Sequence, residues 1–149
     1  MKVSALFPIL ALALATPSLA AEYEIHMLDR GSDGREMVFE PAFLHIEPGD
    51  TVHFIATNQS HNAESLDGMI PEGAEPFRGE LNQNISVTFT AEGAHGIACR
   101  PHLGMGMVAL VMVGDDPHNL EEMQQVLLPR GARGAFEALY AQLEEALAE

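Results

Sequence analysis

Hydrophobic and polar positions alternate along most of this chain, then change period near its end. Val52, Phe54 and Ala56 share one face of the run Thr51–Thr57, and Ile85, Val87 and Phe89 share one face of the next alternating run. A period of two sends successive side chains to opposite sides, so each run predicts a half-buried strand. Tyr23–Leu28, Met37–Phe39 and Phe43–Ile46 read as further extended pieces. The second is stopped at Glu40-Pro41 and the third at Glu47-Pro48-Gly49-Asp50. Gly93–Cys99 and Val108–Val113 read as the last two strands, with a polar loop at Asn58–Asn62 and an irregular connection at Gly68–Gly79. Short strands spaced by turns predict an all-β sandwich.

After residue 118 the spacing lengthens. Asn119-Leu120-Glu121-Glu122 resembles a helix N-cap with an acidic third residue. Phe136, Leu139, Tyr140, Leu143 and Leu147 then recur at helical intervals, with Glu137, Glu144 and Glu145 on the other side. The expected fold is therefore a β-sandwich with C-terminal α-helices packed on it. No internal repeat or second domain is visible.

The first twenty residues change the picture of where this sandwich works. Met1-Lys2 supplies a positive start, an apolar run follows from Ala5 to Ala15, and Ser18-Leu19-Ala20 places small residues ahead of a cut. This reads as a secretory signal peptide over residues 1–20, cleaved before Ala21 and leaving one domain over residues 21–149. Export to a bacterial periplasm is expected, as a monomer. No later segment is long and apolar enough to cross a bilayer, so no membrane insertion is expected.

Charge narrows the partners. Loss of Lys2 leaves six arginines and no lysine against twenty-two carboxylates, a formal charge of −16. Nucleic acid and anionic membrane surfaces are poor partners for such a molecule. The acidity fits solubility in salty surroundings or attraction to a basic redox partner, and composition does not separate the two.

The candidate chemistry lies in Cys99-Arg-Pro-His102-Leu-Gly-Met-Gly-Met107. Cys99 is the only cysteine, so it has no intramolecular disulfide partner, and an exported thiol left unpaired is a liability unless something occupies it. With His61 thirty-eight residues upstream, the set comprises two imidazoles, a thiolate and a thioether. That is the ligand set of a blue-copper electron-transfer site. Spacing alone does not choose between Met105 and Met107 as the thioether. His26 and His53 lie in predicted strands, where a structural role is expected, and His45, His95 and His118 do not converge on the motif.

Phe39-Glu40-Pro41, Pro48-Gly49-Asp50-Thr51-Val52, His61-Asn62, Gly68-Met69-Ile70-Pro71 and the Cys99–Met107 loop together resemble the pseudoazurins. The similarity runs from about Tyr23 through the C-terminal helices. The resemblance implies a Greek-key cupredoxin sandwich carrying one type 1 copper per chain. It implies His61, Cys99 and His102 as ligands, with Met107 rather than Met105 axial. It also implies that Asn62 ties the two ligand loops together and that Met37 packs near His102. Electrons would leave through the edge of His102, within a patch made by Pro101, Leu103 and Met105. Pro101 has no N–H to donate to the Cys99 sulfur, so its replacement by alanine is expected to raise the reduction potential.

The implied partners are periplasmic redox proteins: a copper nitrite reductase as acceptor and a cytochrome as donor. Pseudoazurins usually ring the exit patch with lysines. Here Gln59 and Ala98 stand where lysine is expected, leaving Arg30, Arg78 and Arg100 as a reduced basic ring. The leading function is a mobile one-electron carrier and not an enzyme. Copper delivery is the competing reading, and eight methionines without a Met-rich tract disfavour it. A thiol enzyme with Cys99 as nucleophile and a histidine base would have no use for the Gly-Met-Gly-Met tail.

Overall fold

The computed structural model describes residues 19–149, so the expected signal peptide, but for its last two positions, lies outside the described residues. Among the described residues eight strands are formed: β1 (Glu22–Arg30), β2 (Glu36–Glu40), β3 (Phe43–Ile46), β4 (Thr51–Ile55), β5 (Glu64–Ser65), β6 (Ile85–Thr88), β7 (Gly93–Ala98) and β8 (Val108–Val113). They make two four-stranded sheets, ordered β2-β1-β4-β6 and β3-β8-β7-β5. Helices α1 (Leu120–Gln124) and α2 (Arg130–Leu147) follow. This is the expected sandwich with C-terminal helices. The two-residue β5 carries no alternation from which it could have been read.

Period-two alternation explains the sheet interface. Val52 and Phe54 from β4, Ile25 and Met27 from β1 and Phe39 from β2 meet Ile97, Ala109, Val111 and Val113 from the other sheet. Complete burial of a side chain such as Phe54 contributes about 1.5–3 kcal/mol.

β7 and β8 behave differently, because both of their faces are covered. Ala109, Val111 and Val113 face the sandwich, whereas Val108, Leu110 and Met112 pack with Phe136, Leu139 and Leu143 of α2. That is why Val108–Val113 is apolar without interruption. On β7 the helix-side residues are small. A Cβ at Gly96 would approach the Met69 side chain to 2.9 Å, so only glycine leaves room for it.

The chain before α1 departs from expectation in one respect. Asn119 precedes the helix as read from the sequence, but its side chain makes no capping bond. It is buried instead against β7, where its Oδ1 accepts the Ala94 N–H at 2.9 Å and its Nδ2 donates to the Ala94 carbonyl at 2.8 Å. Two hydrogen bonds to an otherwise unpaired backbone outweigh one bond to a helix end that solvent can also satisfy.

Candidate metal centre

Strand parity carries Cys99 into the sandwich interior. His95 and Ile97 face inward on β7, so the next odd residue does too, and Cys99 is fully buried. The chain then makes a 3-10 turn over Arg100–Met105, with Pro101 in its first turn and Gly106 closing it at a left-handed φ of 91°. Pro101 suits the start of a turn, where its missing N–H is not needed. Beyond the turn Met107 lies directly across the hairpin from Cys99, and the Cys99 N–H donates to the Met107 carbonyl at 3.0 Å. Residues opposite one another on a hairpin project to the same face, and Met107 is fully buried among the same sandwich residues as Cys99. Met105, in contrast, is 57% exposed.

His61 comes from the loop between β4 and β5, and it is also fully buried. Its Nδ1 lies 3.7 Å from Cys99 Sγ and 3.1 Å from His102 Nδ1, and His102 Nδ1 lies 3.5 Å from the sulfur. Metal–imidazole and metal–thiolate bonds of about 2.0–2.3 Å place neighbouring donors roughly 3–4 Å apart. The three atoms therefore fit a shared ion. Among the described residues this is the group of His, Cys, Asp and Glu side chains that could hold a metal. The other five histidines are placed elsewhere. His26 bonds Thr57, His53 bonds Ser86, and His45, His95 and His118 bond the carbonyls of Gly114, Ala91 and Asp116.

Electrostatics favour a cation here. Burial pushes the Cys99 thiol above its ordinary value, and the Asn62 and His102 backbone N–H groups only partly oppose this. Burial also lowers the His102 pKa, with His61 nearby adding to the effect and Asp29 opposing it. A buried thiolate needs a positive partner to exist, and a neutral imidazole is ready to ligate.

Asn62 ties the His61 loop to the turn after Cys99: its Oδ1 accepts the Arg100 N–H at 2.8 Å, and its Nδ2 donates to Glu64 Oε2 and to the Gly79 carbonyl. Two carboxylates near the site were not read from the sequence. Glu64, 5% exposed, is paired with Arg100 and, at 3.4 Å, with Arg78. Asp29 accepts a hydrogen bond from His61 Nε2 at 2.9 Å. Nothing in the local sequence around Asp29 signals a partner thirty-two residues away.

The surface around His102 is apolar but not basic. Pro101, Met105 and Leu81 (52% exposed) are open to solvent, and Leu81 shares a groove with Pro101. Leu103 is half-buried against the helix-side core. The three arginines of the expected ring meet two carboxylates: Arg30 pairs with Glu36, and Arg78 and Arg100 share Glu64. Met37, at a left-handed φ of 55°, packs against the sandwich core.

The loop is held from behind by α2. A Cβ on Gly131 would run into the Gly104 carbonyl oxygen, and one on Gly106 would meet the Gly131 oxygen at 2.9 Å. Backbone thus packs on backbone, close behind the turn that carries His102.

A two-sheet sandwich with a His, Cys, His cluster and a buried methionine at one end defines a cupredoxin. In agreement, residues 25–114 match the family described as copper binding proteins, plastocyanin/azurin family, and the chain belongs to it. Within that family its similarity is to the pseudoazurins. It is 47% identical to the pseudoazurin of Paracoccus pantotrophus over 132 residues, covering 89% of this chain and 90% of the relative. It is 41% identical to that of Methylorubrum extorquens over 137 residues, covering 91% and 92%. The solved structure of a pseudoazurin from Sinorhizobium superposes with a TM-score of 0.81 at 41% identity, covering 83% of this chain and 97% of that one. The protein is a blue copper electron-transfer protein that binds copper and passes electrons to redox partners.

Proposed function

We propose that the chain, after loss of residues 1–20, is a one-domain periplasmic carrier cycling one copper ion between Cu(II) and Cu(I). His61, Cys99 and His102 hold the ion, and Met107 is the weak axial ligand. The observation that carries this is the convergence of His61 Nδ1, Cys99 Sγ and His102 Nδ1 within 4.8 Å, built on a hairpin that also delivers Met107. Two imidazoles and a thiolate supply strong in-plane donors, and a distant thioether suits both oxidation states. His102 is the ligand that reaches the apolar surface, so its edge is the electron's exit. A small apolar contact suits the brief encounters of redox partners.

A cytochrome is the proposed donor, with a copper nitrite reductase or another respiratory redox protein as acceptor. Because Glu36 and Glu64 offset two of the three arginine charges near the exit, long-range attraction to an acidic acceptor is weak and the overall charge repels it. The electron-transfer rate to such an acceptor is therefore expected to rise with ionic strength.

The deciding experiment is visible absorption and electron-spin resonance of the Cu(II)-loaded protein beside Cys99→Ser. An intense thiolate-to-copper band that vanishes in the variant supports the assignment. A pale complex indifferent to the substitution removes Cys99 from the ligand set.

A further inference from the structure

The two ring nitrogens of His61 have different surroundings. Nδ1 faces Cys99 and His102, whereas Nε2 lies 2.9 Å from Asp29 Oδ1 near the end of β1. We propose that Asp29 is a positioning residue that fixes the His61 tautomer and biases the centre toward Cu(II). The inference rests on the copper reading above.

A carboxylate only accepts hydrogen bonds, so Nε2 must carry the proton and Nδ1 is left with its lone pair toward the metal. An imidazole whose N–H is given to a carboxylate is a more basic ligand. Stronger donation favours the more highly charged Cu(II). Reduction adds one electron and no proton to the centre, so the negative charge of Asp29 also opposes it. Asp29 is 58% exposed, so water and salt screen its charge through space. The hydrogen bond itself ends on a fully buried nitrogen, where screening is much weaker.

Asp29 is built into place rather than merely close. Its backbone N–H donates to Asn58 Oδ1 at 2.9 Å, and the Asn58 N–H donates to the Met27 carbonyl at 3.2 Å. These bonds join the end of β1 to the loop that carries His61. The other carboxylate near the site, Glu64, is occupied by two arginines and an asparagine amide. Asp29 is thus the acidic group that acts directly on a ligand.

The test compares midpoint potentials and visible spectra of the copper-loaded protein at neutral pH with those of three variants. Asp29→Asn keeps an acceptor oxygen but removes the charge, Asp29→Ala removes both, and Glu121→Gln removes an exposed charge on α1. Asp29→Asn is expected to keep the intense band and raise the potential. Asp29→Ala is expected to raise it at least as far and weaken Cu(II) binding by about 10–100-fold. Glu121→Gln should leave both unchanged.

An unchanged potential in Asp29→Asn, or an equal rise in Glu121→Gln, overturns the proposal while leaving the copper assignment intact. Absence of the intense band from the unmodified protein would overturn both. A measurement needing no variant is nuclear magnetic resonance of the zinc-loaded protein. A His61 proton on Nε2 supports the inference, and one on Nδ1 overturns it.

Discussion

The β7–β8 hairpin is pinned at both ends by a buried asparagine, and the two ends treat their polar atoms in opposite ways. At the Gly93 end, Asn119 closes on Ala94 with one accepted and one donated bond, so each polar atom meets its complement. At the Cys99 end, Asn62 performs the same service for Arg100 and Gly79. There, however, two imidazole nitrogens and a sulfur are left facing one another. Electron-pair donors converge in a protein interior where a cation completes them. Buried polar groups alone do not mark a site; converging donors do.

The comparison is broken most directly by removing each asparagine. Asn119→Ala leaves the Ala94 N–H and carbonyl unpartnered and is expected to cost about 2–4 kcal/mol in urea unfolding. The copper spectrum should not change. Asn62→Ala is expected to cost a similar amount and also to shift the visible band, because the Arg100 backbone loses its anchor. Equal spectral effects from the two variants would mean that the ends are not independent.

Gly131→Ala sharpens the contrast from the helix side. Alanine in an exposed helix position normally gains up to about 1 kcal/mol over glycine. Here the new Cβ meets the Gly104 carbonyl, so a net loss of about 1–3 kcal/mol is expected. The copper spectrum should shift with it. A stabilised variant with an unaltered spectrum would show that α2 does not constrain the ligand turn.

Acid probes both ends at once. His95 near the Asn119 end and His102 at the metal end both have pKa values lowered below 6.5, chiefly by burial. The unfolded chain therefore binds more protons. Stability present above pH 6.5 is lost as pH falls through that value toward the depressed folded values. In the copper-free protein, urea unfolding at pH 7.5 and pH 5 should show a smaller loss for His95→Gln than for the unmodified chain. Copper loading should enlarge the His102 contribution, because a ligated imidazole takes up no proton in the folded state, and leave that of His95. The smallest expected effect is on potential alone: Pro101→Ala restores a donor beside the Cys99 sulfur and should raise the midpoint, read by redox titration.

Much of this was legible without coordinates. Alternation predicted β4 and β6 nearly to their ends, because a strand with one covered face leaves a period of two in the sequence, whereas β8, covered on both faces, was legible as an unbroken apolar run. The helical spacing of Phe136, Leu139 and Leu143 predicted α2 for the same reason. Cys99, His102 and the two methionines were visible because one short turn carries them, and residue type alone restricts their chemistry.

Tertiary structure decided the rest. It separated buried Met107 from exposed Met105, since the pairing of β7 with β8 determines which methionine lies opposite the cysteine. It brought Asp29 onto His61 and Arg78 and Arg100 onto Glu64, contacts between residues far apart in the chain with no periodicity to announce them. It also turned Asn119 from a helix cap into a strand clamp. Local sequence records which face of an element is buried. Which distant polar group completes it depends on how the elements pack.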